Sequence, residues 1–277
     1  MSFQNQSSVL HKFKGILFST MSSEELLNSL DFFNAREDDV FLVSYPKSGT
    51  HWIAEVIGNI PNARISLTSP IELGDISKFD ELKMNCKRRV IPTHLSYNML
   101  PVNIKQKQCK IIYIVRNPKD TAVSLFHYYR DNPNLPGIET WAAFFELFLR
   151  GDGPLSQASL RAHRSVGFLT VSRASIASSA LGGDIIHRGW AGLLLPRGGG
   201  DAGGDCEPRD LFKSIKKIVT FLGINVSDSE INKIARKTSF SEMKNNAAKE
   251  NCDPNHTICA LTSNRNLVFR KGTQVSY

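Results

Sequence analysis

The chain has 277 residues, 41% of them hydrophobic, enough to bury a sizeable core in one large α/β domain or two small ones; one domain over residues 1–277 is the expectation. Its formal net charge of +8 favours an anionic partner without choosing among nucleic acid, a membrane surface and a small phosphorylated ligand. Five unevenly spaced cysteines argue against a disulfide framework, and no stretch reaches the ~20 apolar residues that span a bilayer, so a soluble, cytoplasmic protein with no membrane partner is expected.

In chain order, "MSFQNQSSVLHKFKGILFST" lacks the apolar core and cleavage site of a leader. "MSSEELLNSLDFF" has Ser22 and Glu25 at capping-box spacing and puts Leu26, Leu27, Leu30 and Phe33 on one helical face. "DVFLVS" is apolar on both faces, as buried parallel strands are. A turn from Tyr45 to Gly49 follows, then a helix carrying Trp52, Ile53, Val56, Ile57 and Ile60. "RRVIPTHL" predicts a shorter strand running into a proline turn and His94. "CKIIYIVR" is a second buried strand, "NPKD" a turn with proline at the helix start, and "TAVSLFHYYR" a helix. Strands alternating with helices predict a doubly wound parallel sheet whose ligands gather at the carboxyl ends of the strands.

From Gly153 to Cys206 the composition changes: 11 of the 19 glycines fall there, lysine, asparagine and tyrosine vanish, and neither helical nor strand periodicity is sustained. The expectation is an atypical segment, poorly ordered or replacing something else. "RDLFKSIKKIVTFLGI" resumes a helix with Leu211, Ile215, Ile218, Val219 and Leu222 inside and Gly223 as its stop, followed by a Ser-capped helix in "SDSEINKIARKTSFSEM". Cys252, His256 and Cys259 lack a fourth ligand at a recognisable spacing, so no metal is assigned. The basic runs Lys87-Arg88-Arg89 and Lys213 to Lys217 lack interleaved aromatics and read as solvated faces, so no nucleic-acid partner is assigned either.

The turn after the first buried strand carries the chemistry. A glycine-containing strand-to-helix turn points backbone N–H groups at one spot that the helix dipole makes attractive to an anion. Lys47 adds a mobile charge there, and hydroxyls such as Ser48, Thr50 and Thr93 add donors. "YPKSGTHW" lacks the first glycine of the ATP-binding P-loop pattern, and no aspartate suited to magnesium follows a strand, which counts against a kinase.

"YPKSGTHW", "PTHL", "IIYIVRNPKDTAVS", "KTSF" and "FRKG" occur in this order and at these separations in the cytosolic sulfotransferases, and the chain resembles that family, its 6B branch in particular, over about residues 10–150 and 208–273. The resemblance implies a P-loop-like three-layer αβα fold around a central parallel sheet. It implies transfer of the sulfuryl group of 3'-phosphoadenylyl sulfate (PAPS) to a hydroxyl or amine of a small phenol, alcohol or iodothyronine-like acceptor, without metal, by a monomer or weak homodimer. Lys47, Ser48, Gly49, Thr50, His51 and Trp52 match the loop around the 5'-phosphosulfate, with Lys47 catalytic and Trp52 stacking on adenine. Arg116 and Ser124 match the clamp on the 3'-phosphate, and His94 matches the general base. Thr238, Ser239 and Phe240 match the residues beside the adenine; Arg270, Lys271 and Gly272 match the loop returning to the 3'-phosphate.

Three departures from the family pattern stand out. Pro92 replaces a common lysine, the chain ends at "TQVSY" where relatives continue, and the segment 153–206 shows neither the family's substrate-facing helix nor its buried strand. Loss of that strand would leave neighbouring backbone groups without partners, and the alternative it raises is a chain that binds the nucleotide without transferring from it.

Overall fold

Lys14 and Gly15 both hold positive φ, 48° and 78°, and this two-residue turn joins β1 (Leu10–Phe13) to β2 (Ile16–Ser19) as an antiparallel hairpin. The computed structural model that shows it describes residues 9–67, 69–132, 135–150, 186–187, 190–194 and 208–247. Helix α1 (Glu24–Ser29) is capped one residue later than its sequence suggests: Ser23 accepts from the Leu26 amide at 3.1 Å, while Ser22 forms an isolated bridge with Gly74. The bridge holds Ser22 in extended backbone, so its neighbour takes the capping role.

The chain then alternates strand and helix. In order come β3 (Val40–Ser44), α2 (Thr50–Gly58), β4 (Arg64–Ile65), α3 (Lys78–Met84), β5 (Arg89–Thr93), α4 (Val102–Gln106) and β6 (Lys110–Val115). They are followed by α5 (Pro118–Asp131), α6 (Trp141–Arg150), β7 (Ile186–His187), β8 (Trp190–Leu194), α7 (Pro208–Leu222), α8 (Asp228–Lys237) and α9 (Phe240–Ala247). One six-stranded sheet has the order β4-β5-β3-β6-β8-β7, parallel throughout except for β7, which pairs antiparallel with β8 at the edge.

Period-two alternation splits the core into the two outer layers' interfaces. Val40 and Leu42 of β3, with Ile112 and Ile114 of β6, face Ile53 and Ile57 of α2, the inner row of α7 and Ile231 and Ile234 of α8. Phe41 and Val43, with Ile91 and Ile111, face Leu27, Leu82, Ile104 and the hairpin's Phe13 and Phe18. The result is the three-layer αβα arrangement around a parallel sheet that the strand and helix grammar predicts. α7 buries Leu211, Ile215, Ile218, Val219 and Leu222, stops at Gly223 with φ 71°, and is followed by α8 with a complete Ser227–Glu230 capping box. Among the described residues no helix is long and apolar enough to cross a membrane.

Three further expectations need correction. The segment 153–206 contributes β7 and β8, and β8 runs parallel along β6, with Ile112 opposite Ala191. Its glycine-rich surroundings hide it because pairing with an open sheet edge, not propensity, makes the strand; the rest of the segment lies outside the described residues. Pro92 sits inside β5 opposite Leu42, not in a turn after it. Its carbonyl accepts from the Ile71 amide at 2.9 Å, beyond the point where two-residue β4 has ended, so the donor proline lacks is on that edge.

Nor does Arg89 belong to a solvated basic face, because Asp39 gives it a buried counter-charge: at the amino ends of β3 and β5 the two, 2% and 0% exposed, form a bidentate pair with Nε–Oδ1 2.7 Å and Nη2–Oδ2 2.5 Å. Arg89 also donates to the Leu82 and Asn34 carbonyls, and Asp39 accepts from the Arg36 amide, so every nitrogen and oxygen of the two charged groups has a hydrogen-bond partner. Removing one member strands a buried charge, which costs about 3–5 kcal/mol. Arg89→Met is therefore expected to lower unfolding free energy in urea by about that amount, and Arg89→Met with Asp39→Leu by less; equal losses would show that the ion left behind is not what destabilises the single variant.

Candidate active site

Parallel pairing of β3 with both β5 and β6 brings three carboxyl ends to one edge of the sheet. Thr93 lies opposite Val43, and Ile114 opposite Ser44, so the segments following Ser44, Thr93 and Val115 leave side by side. Lys47, His94 and Arg116 stand on those three segments, as expected of a ligand edge in an open α/β sheet.

The Tyr45–Gly49 turn is tight. The Ser48 amide donates to the Tyr45 carbonyl at 3.1 Å, Lys47 holds φ 64°, and Gly49 holds φ 102° as the N-cap of α2. A left-handed lysine is uncommon and marks a backbone held by its surroundings. Gly49 offers no capping side chain, and the first amides of any helix have no intrahelical acceptor.

Lys47 is half-buried with Nζ 4.5 Å from the centroid of the Tyr128 ring. Desolvation, assisted by the nearby Arg116 guanidinium, brings its pKa down to about 8. Arg116 donates from Nη1 to the Lys47 carbonyl at 2.9 Å, and its own pKa is lowered by burial although Asp120 works the other way. The two cations are thus set close together on neighbouring loops, and an anion between them would relieve both.

Ser44 ties the other side. Its Oγ lies 2.5 Å from Thr50 Oγ1 and 3.2 Å from His94 Nδ1, and its carbonyl is 2.9 Å from the same Nδ1. A carbonyl only accepts, so this contact needs a proton on Nδ1, and in the neutral ring the lone pair then falls on Nε2. Trp52 packs partly buried against the α2–α7 core and donates from Nε1 to the Thr238 carbonyl at 2.7 Å, joining α2 to the end of α8. Thr238 is fully buried, its hydroxyl donating to the Ile234 carbonyl at 2.8 Å. Ser239 and Phe240 follow at the start of α9, and Ser124 is half-buried on α5. Arg270, Lys271 and Gly272 lie outside the described residues, as do Cys252, His256 and Cys259.

Thr93 does not serve as a spare donor: its hydroxyl donates to Glu72 Oε2 at 2.8 Å and accepts from the Leu95 amide at 3.1 Å. Glu72, Ser44 and Tyr128 are the residues that reading the sequence misses. Glu72 stands 22 positions before its partner His94, and no local pattern joins the two. Among the described residues no three His, Cys, Asp or Glu gather as a metal site.

Comparison with known proteins adds a family. A model described as "Sulfotransferase domain" matches residues 37–164 and 208–277, more than half the chain. The chain belongs to the sulfotransferase family. Mouse sulfotransferase 6B1 is 32% identical over 236 residues, 82% of this chain and 69% of that protein. The human 6B1 enzyme is 37% identical over 152 residues, 52% of this chain and only 50% of the relative. The crystal structure of mouse sulfotransferase SULT7A1 complexed with PAP matches with a TM-score of 0.75 at 61% identity, covering 96% of this chain and 86% of that one. Identity to that protein thus exceeds identity to either 6B1 relative, while family and fold agree with the motifs that pointed there.

Among the described residues, the two lysines whose pKa falls to about 8 are Lys47 and Lys78. In 13C NMR of reductively methylated protein, two lysine signals are expected to titrate around pH 8, one disappearing in Lys47→Met and the other in Lys78→Met. A Lys47 signal titrating with the ordinary lysines near 10.5 would overturn the desolvated-cation description.

Proposed function

We propose that the chain transfers the sulfuryl group of PAPS to a hydroxyl or amine of a small acceptor such as a phenol, an alcohol or an iodothyronine-like phenol, with His94 as general base and Lys47 beside the leaving oxygen. One observation carries the reading: Ser44, the last residue of β3, holds the His94 ring by its carbonyl and also leads into the loop that bears Lys47. Base and cation therefore share one rigid anchor. The 61% identity to a sulfotransferase crystallised with PAP supports the choice of nucleotide.

The residues suit the donor's charge. The close Lys47 and Arg116 cations, and the first turn of α2 entered through Gly49, form a set that favours an anion. PAPS, when bound, supplies an activated sulfuryl group whose bridging oxygen gains negative charge on transfer. Lys47 offsets that charge, and the amides of Gly49, Thr50 and His51 with the Ser48 and Thr50 side chains hold the oxygens around the sulfur. Arg116 and Ser124 hold the 3'-phosphate, with Arg270, Lys271 and Gly272 returning to it. The Trp52 indole, its plane fixed by the Thr238 carbonyl, stacks on the adenine, which Ser239 and Phe240 flank. His94 takes the acceptor's proton on Nε2 because Nδ1 is already occupied by its own proton.

This reading treats residues 1–277 as one transferase domain, with 153–206 as its atypical part, acting in the cytoplasm as a monomer or weak homodimer. The rival, a chain that binds nucleotide and transfers nothing, drew on a missing central strand, and β8 alongside β6 weakens that premise.

Transfer of 35S-sulfate from labelled PAPS to a panel of phenols and amines tests it. Wild type is expected to turn over, His94→Ala to lose about 10²- to 10⁴-fold in kcat with PAP affinity kept, and Lys47→Met to lose activity and donor affinity together. Near-normal turnover in His94→Ala would remove the base, and PAP binding without any transfer by the wild type would favour the rival.

A further inference from the structure

A buried carboxylate is tolerated only when its oxygens are hydrogen-bonded. Glu72 is 0% exposed, and both its oxygens engage the residues at the end of β5. Oε2 accepts from the Thr93 hydroxyl at 2.8 Å and Oε1 from the His94 backbone amide at 2.7 Å. Thr93 then passes the restraint on, since its hydroxyl oxygen accepts from the Leu95 amide at 3.1 Å. The His94 backbone is held on both sides of its Cα.

The segment bearing Glu72 is itself fixed from three directions. Lys78 Nζ donates to Ser69 Oγ at 3.1 Å, to the Pro70 carbonyl at 2.7 Å and to the Leu73 carbonyl. The Ile71 amide donates to the Pro92 carbonyl at 2.9 Å, and the Gly74 amide to the Met21 carbonyl at 2.7 Å. Lys78 is only 8% exposed, so its ammonium acts as an internal clasp on the turn, not as a surface charge.

We propose that Glu72 is a positioning residue for His94: it fixes the backbone at one end of the side chain while the Ser44 carbonyl fixes Nδ1 at the other. With both ends held, the imidazole has one orientation and one tautomer. Without the carboxylate, the backbone end of the side chain is released, the ring pivots about its contact with Ser44, and Nε2 spends less time directed at the acceptor. A misplacement of about 1 Å in a reacting group lowers rate by up to about 10²-fold. The catalytic consequence rests on the reading of His94 as the base; the positional one does not.

Glu72→Gln keeps the shape and one acceptor but cannot accept from both donors. Its kcat is expected to fall by about 10-fold or more, with PAP affinity by calorimetry and the urea midpoint near wild type. The same substitution should be nearly silent in a His94→Ala background, because the two residues act as one unit. Thr93→Val, which removes only the relayed hydroxyl, should show a smaller loss of the same kind, and it serves if Glu72→Gln fails to fold. Long-range 1H–15N spectra of the histidine rings, with His94 assigned by its loss in His94→Ala, give a readout independent of turnover. Wild type should report a proton on Nδ1, and Glu72→Gln a ring averaging between tautomers. An unchanged His94 ring with unchanged kcat overturns the proposal, and so does a loss confined to PAP affinity and stability. If the wild type binds PAP and transfers nothing, the transfer reading falls, while the ring spectra still decide whether Glu72 positions His94.

Discussion

Every residue of β3 is buried, and a strand covered on both faces can satisfy its backbone only through its neighbours. It does so with β5 on one side and β6 on the other, both parallel to it. From that constraint the site follows. Parallel neighbours end at the same edge, so the three segments leaving that edge bring a lysine, a histidine and an arginine to one side of the sheet. None of the three is adjacent to another in sequence, and none would meet in an antiparallel arrangement of the same strands.

The parts legible in the sequence are those whose signal is local. "VFLVS" and "KIIYIV" read as buried strands because an unbroken apolar run of that length has few other uses, and α7 and α8 announce themselves by their inner rows and caps. The Lys47 turn is legible as an anion loop because Gly49 and a helix start fall together. What stayed hidden depends on partners far along the chain. β8 becomes a strand because β6 offers it an edge, and Pro92 is tolerated within β5 because β4 is two residues long. The Ser22 bridge to Gly74 moves a cap by one position. Glu72 gives no sign, since a single glutamate between a proline-containing turn and a helix normally reads as solvated surface.

The sheet handles charge differently at its two ends. At the amino ends of β3 and β5, Arg89 and Asp39 are dry and bidentate, each supplied with further hydrogen bonds from carbonyl or amide groups. Such a pair contributes geometry more than net stability, because desolvation offsets much of its attraction. At the carboxyl ends the one buried acid near the strands among the described residues, Glu72, turns inward to an amide and a hydroxyl. It does not neutralise Lys47 or Arg116, so the positive character of that edge survives.

That asymmetry has a kinetic consequence. An approaching anion senses the summed field of the molecule before it senses any hydrogen bond, and Lys47 and Arg116 add to that field at the carboxyl edge. Capture should therefore be guided from a distance and slow as ionic strength rises and the screening length contracts. The Asp39–Arg89 pair, far from the ligand edge, takes part by subtraction. By cancelling a charge that would otherwise pull the field toward the closed end of the sheet, it helps to give the molecule a direction.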